Sequence, residues 1–97
     1  MPFQIKLTTD AEADLAYFKA HEQRVNLDGI EIHLRLEADQ ESKRRKQLRP
    51  NPVAPWELRI DKYRAFYDVE DATTVWITAI GEKEHNDLFI RGRKMTL

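Results

Sequence analysis

The chain has 97 residues, 41% hydrophobic and 34% charged, with 16 Lys and Arg against 17 Asp and Glu for a formal net charge of -1. These values fit one compact domain over residues 1–97 and exclude a disordered chain; they also exclude attraction to nucleic acid or anionic lipid by overall charge, so any anionic partner must be held by local patches. Cysteine is absent, which excludes disulfide staples and thiolate zinc sites and fits a reducing compartment. The opening MPFQIKLTTDAEADL lacks the charged lead and apolar core of a signal peptide, and no apolar run approaches the ~20 residues of a membrane span. A cytoplasmic, membrane-free protein is the expectation.

Phe3, Ile5 and Leu7 alternate with Gln4 and Lys6, which predicts a short half-buried strand. Thr9 and Glu12 have capping-box spacing, and Asp10, Glu12 and Asp14 suit the positive end of a helix dipole. A helix is predicted from Asp10, with Ala11, Leu15 and Phe18 as its apolar face. The next segment, EQRVNLDGIEIHLRLEADQ, reads two ways. Ile30, Ile32, Leu34 and Leu36 alternate as in a strand, whereas Leu27, Ile30 and Leu34 follow helical spacing among good helix formers. Lys43, Arg44, Arg45, Lys46 and Arg49 then form a basic run, and Pro50, Pro52 and Pro55 predict an extended loop. WELRI, YRAFYDV and TTVWITAI follow as three antiparallel strands. In the final GEKEHNDLFIRGRKMTL, Gly92 could allow a turn.

If Asp61 and Lys62 form a two-residue hairpin loop, Ile60 faces Tyr63, Arg59 faces Arg64, Leu58 faces Ala65, Glu57 faces Phe66 and Trp56 faces Tyr67. One side is then an apolar strip, and the other sets Arg59 against Arg64, where like charges cost roughly 0.2–1 kcal/mol. Two compensations stand: a bound phosphate, which guanidinium forks grip in bidentate fashion, or a counter-charge from Glu57, Asp68 or an acidic helix.

This order of elements, together with PWELRIDKYRAFYDVEDATTVWITAIG, resembles the RelE/ParE superfamily of bacterial toxin–antitoxin toxins, which includes plasmid-stabilisation proteins. The shared pattern is Y-x-L-R-x-x-x-Y-R-[VI]-x-Y-x-[VI], then an apolar strand and a glycine, matched from Trp56 to Val69 and from Val75 to Gly81. The resemblance implies an α+β fold of order β-α-α-β-β-β, with two N-terminal helices on an antiparallel sheet of about four strands, and it assigns Gln23 to Ala38 as helix. It implies a toxin that cleaves ribosome-bound messenger RNA without metal or cofactor and is neutralised by a cognate antitoxin. Sheet cations hold the scissile phosphate in that chemistry, while acid and base groups move protons to and from the 2′-hydroxyl and the leaving 5′-oxygen.

Carried over by position, Arg59 and Arg64 match the basic sheet residues with Lys62 beside them, and Lys83 stands where an arginine often follows the glycine. The tail then departs from the family pattern. It reads GEKEHNDLF, with Asp87 near the usual tyrosine and Phe89 close by. A proton carrier near neutral pH is needed, and His85 is the candidate, with Glu82 or Glu84 in reserve. His21 and His33 fall on the helices. Lys43, Arg44, Arg45, Lys46 and Arg49 are candidate RNA-binding residues, or else solvated helix-end cations; Arg91 and Arg93 extend the candidate patch, with Lys94 beside them in a second basic cluster. No nucleotide or zinc motif is present. The alternatives are a non-catalytic ParE-like toxin that blocks DNA gyrase by protein contact, and a toxin-derived protein without activity.

Overall fold

The computed structural model describes residues 2–97. Its elements are β1 (Gln4–Leu7), α1 (Thr9–Ala16), α2 (Ala20–Leu34), β2 (Arg45–Gln47), β3 (Trp56–Ile60), β4 (Tyr63–Glu70), β5 (Thr74–Glu84), β6 (Asp87–Ile90) and β7 (Arg93–Met95). The α+β class and the two N-terminal helices are as expected. The sheet has seven strands rather than about four, in the order β2-β3-β4-β5-β6-β7, and β1 joins β5 in parallel.

Helix α1 is capped by Thr8, not Thr9: Thr8 Oγ1 accepts the Ala11 N–H at 3.1 Å, with Asp10 and Glu12 in the first turn. The ambiguous segment is helical from Ala20 and ends at Leu34, four residues before the expected end. Helical geometry divides the alternating residues. Ile30 and Leu34 are buried, whereas Ile32 is 73% and Leu36 67% exposed. Gly29 lets α2 lie on β3, since a Cβ there would stand 2.8 Å from the Ile60 side chain.

The basic run is not all loop. Arg45–Gln47 forms β2, an edge strand held to β3 by backbone bonds and exposing cations as edge strands commonly do. The proline segment beyond it is ordered by Asn51, whose Oδ1 accepts the Val53 and Ala54 N–H groups at 2.8 and 3.1 Å. The β3–β4 hairpin has the register read from its apolar alternation, Trp56 opposite Tyr67 through Ile60 opposite Tyr63, and Asp61 turns at φ 52°. Between β4 and β5, Thr78 is an extra residue where Phe66 pairs with Ala79 and Tyr67 with Ile77. Gly92, at φ 75°, makes the turn between β6 and β7.

The helices cover one face. Trp56, Leu58, Ile60, Tyr63, Ala65, Tyr67, Val75, Ile77 and Ile80 meet Ala11, Phe18, Ile30 and Leu34 in the main core. A smaller apolar cluster of Ala54, Phe66, Ala79 and Leu88 lies on the other face, flanked by Leu48, Val53 and Ile90. Buried Asp14 joins helix to sheet: Oδ2 accepts the Ile80 N–H at 3.0 Å, and Arg91 Nε stands 2.8 Å from Oδ1.

Candidate functional site

Strand alternation decides which side chains meet. With Trp56, Leu58 and Ile60 turned toward the helices, Glu57 and Arg59 take the opposite face of β3; on β4, Arg64 and Phe66 do the same. The extra Thr78 resets β5, so Ile80 and Glu82, opposite Ala65 and Tyr63, lie on the helix side, and Gly81 and Lys83 lie on the far side. One row therefore runs Arg59, Arg64, Gly81 across three strands, with Lys83 two residues further along β5. Gly81 is required there, because a Cβ would stand 2.5 Å from the Phe89 carbonyl oxygen of β6.

Arg64 is hydrogen-bonded on one side, and Arg59 is ion-paired. Arg64 Nη1 donates to the Asp61 and Tyr63 carbonyls, each at 2.8 Å. Its Nε is buried with no protein acceptor. Burial lowers the Arg64 pKa, Glu57 opposes that shift and Arg59 adds to it. Arg59, with a half-exposed side chain, has its Nε 3.9 Å from Oε1 of Glu57, a carboxylate only 5% exposed. Glu57 thus supplies the counter-charge, and the two arginines still outnumber it.

Lys62 and Glu82 belong to the helix side. Lys62 Nζ stands 3.4 Å from Glu82 Oε2 and 4.0 Å from Glu22 Oε2, and 5.5 Å from the centre of the Tyr63 ring. Tyr63 donates to Glu22 Oε2 at 2.7 Å; burial, then that bond, pushes its hydroxyl up to about 12. These residues tie the start of α2 to the hairpin. His85 sits at the exposed β5–β6 turn at φ 59°. The structure brings Arg59, Arg64 and Lys83 to one face, puts Lys62 and Glu82 on the helix side, and places His85 in the turn beyond the last paired residue of β5.

The basic patch also divides. Lys43, Arg44, Lys46 and Arg49 are exposed along the β2 edge, and Arg93 is exposed on β7. Arg45 is spent internally, with Nε on the Gln40 carbonyl at 2.7 Å and Nη1 on the His33 carbonyl at 3.1 Å. Arg91 is engaged by Asp14. Among the described residues, no three His, Cys, Asp or Glu side chains are grouped to hold a metal ion.

No protein-family model matches the sequence, and no curated protein matches it. Among solved structures, a chain of the RelBE2 toxin–antitoxin complex from Mycobacterium tuberculosis matches with a TM-score of 0.71 and 22% identity, over 86% of this chain and 93% of that one. The protein therefore has the fold of a chain in that complex.

Proposed function

We propose that this protein is the toxin of a toxin–antitoxin pair and that it cleaves RNA, its arginine face holding the scissile phosphate. The observation carrying this reading is Arg59 set directly opposite Arg64, with Lys83 on the same face and the helices on the other. One buried carboxylate offsets part of the repulsion; an anion in the remaining donors offsets the rest, and phosphate suits guanidinium forks in shape and charge. The fold it shares with a chain of a toxin–antitoxin complex supports the toxin role and a cognate antitoxin as partner. The substrate is message on the ribosome, in the cytoplasm. The 2′-oxygen attacks phosphorus and the bond to the 5′-oxygen breaks; a base takes the 2′-hydroxyl proton and an acid protonates the 5′-oxygen. Of the candidates His85, Glu82 and Lys83, only Lys83 shares the arginine face.

The helix-side position of Glu82 and the place of His85 in an exposed turn, outside the paired strands, favour a second reading, a non-catalytic toxin that blocks DNA gyrase by protein contact. One experiment separates the two: cleavage of message on translating ribosomes, with DNA supercoiling by gyrase assayed in parallel. On the nuclease reading, Arg59→Ala and Arg64→Ala each lower cleavage by about 100-fold while the circular dichroism spectrum is kept. Lys83→Ala, His85→Ala and Glu82→Gln, at positions on the arginine face, in the exposed turn and on the helix side, identify the proton carrier by whichever changes the pH dependence. Wild-type protein that leaves RNA whole and stops supercoiling replaces the nuclease reading with the gyrase one.

A further inference from the structure

We propose that Glu57 is the positioning residue of the arginine pair, fixing Arg59 from behind while the hairpin carbonyls fix Arg64, so that the two guanidinium groups form a preorganised clamp for one phosphodiester. The proposal rests on the phosphate-holding reading of this face. Three observations carry it. Glu57 is buried on the far face, away from the helix core where the apolar side chains of its own strand lie. Its Oε1 faces the Nε edge of Arg59 at 3.9 Å. The Asp61 and Tyr63 carbonyls take Nη1 of Arg64 at 2.8 Å each.

Arg64 is thus hydrogen-bonded through Nη1 and Arg59 ion-paired along its Nε edge at 3.9 Å, longer than a hydrogen bond, and the Nη atoms of Arg59 and Nη2 of Arg64 remain for a ligand. Lys46, opposite Glu57 on β2, is the other charge facing the carboxylate from a neighbouring strand. Glu57, Arg59 and Arg64 together carry one net positive charge, equal and opposite to a phosphodiester. A neutral side chain at position 57 would leave the cationic attraction for RNA intact, or raise it, while freeing Arg59 to move. Geometry, not affinity, is what Glu57 contributes, and preorganised donors act mainly on the transition state.

The test compares wild type with Glu57→Gln and Glu57→Asp in three measurements: binding of a 2′-O-methyl oligonucleotide that cannot be cleaved, cleavage of ribosome-bound message, and the NMR Nε–Hε signals of Arg59 and Arg64. Glu57→Gln is expected to bind the oligonucleotide as tightly as wild type or up to about threefold tighter, to cleave about tenfold more slowly or worse, and to move the Arg59 signal toward that of a free arginine. Glu57→Asp is expected to recover part of the rate. Cleavage by Glu57→Gln within about twofold of wild type, with an unmoved Arg59 signal, overturns the proposal. So does parallel loss of binding, rate and folded spectrum, which makes Glu57 a packing residue only. If the wild type binds the oligonucleotide without cutting RNA, the nuclease reading fails by itself. The proposal then stands if the oligonucleotide shifts the Arg59 signal in wild type but not in Glu57→Gln, and falls if it shifts both alike.

Discussion

Asp14 places a carboxylate at 2% exposure under helix α1. Burial raises its pKa above the ordinary 3.8; the Ile80 N–H, and then the Arg91 charge, oppose that shift. In the window between 3.8 and the raised value, the folded chain binds more protons than the unfolded one, so this group's contribution to stability falls as pH rises through the window. Acidification should therefore favour the wild type relative to Asp14→Asn, the gain levelling off once pH is below 3.8. Urea melts of both proteins from pH 7 to pH 3 check this; a wild type that loses ground to Asp14→Asn on acidification refutes the assignment. At the same scale, Arg59→Ala leaves Glu57 buried without its nearest cation, so the loss of repulsion is not a free gain. Arg64→Ala removes a buried Nε that has no acceptor. It also removes two 2.8 Å bonds to main-chain carbonyls, against one 3.9 Å ion pair lost with Arg59, so Arg64→Ala should be the more destabilising of the two, by up to about 1 kcal/mol.

Elements explain both what was legible in the sequence and what was not. The β3–β4 hairpin could be read because six apolar residues alternate on both sides of a two-residue loop, which fixes register and places Arg59 against Arg64. The face of β5 could not. Without the extra Thr78, the alternation starting at Val75 would put Lys83 on the helix side and Glu82 beside the arginines; one inserted residue exchanges them. Strand β2 was hidden because its three residues, Arg, Lys and Gln, have no apolar pattern, and what holds them is backbone pairing to β3 and the bonds of the Arg45 side chain to the Gln40 and His33 carbonyls. Helix α2 was ambiguous because period 2 and period 3.6 agree at Ile30 and Leu34. Gly29 supplies the element-scale prediction. An alanine there gains up to about 1 kcal/mol of helix propensity, but its Cβ would lie 2.8 to 2.9 Å from three atoms of Ile60, including both branches. Overpacking of that kind costs about 1–3 kcal/mol, so Gly29→Ala should lower the melting midpoint, and a rise would mean that α2 can lift from β3.

At the scale of the whole molecule, a net charge of -1 hides a division of labour among the cations. Arg45 and Arg91 serve the fold, one on main-chain carbonyls and the other on Asp14, whereas Arg59, Arg64, Lys83 and Lys46 stand on or beside the arginine face. For single strands, the logarithm of affinity falls with the logarithm of salt concentration at about 0.7 per phosphate neutralised. On the RNA-binding reading, the two arginines share one phosphodiester and Lys83 and Lys46 meet one each, so three phosphates give a slope of about -2, far from the near-zero slope that overall charge implies. The two classes of cation separate on substitution. Lys46→Gln should flatten the slope by about 0.7 and leave stability within about 0.5 kcal/mol. Arg91→Gln should leave the slope unchanged and lower stability by about 1–3 kcal/mol, because it strands a buried carboxylate. Oligonucleotide titrations at several salt concentrations, with urea melts on the same samples, measure both quantities. If Arg91→Gln flattens the slope as much as Lys46→Gln does, the RNA track extends across the β6–β7 turn, and the arginine face is only part of the surface that meets the strand.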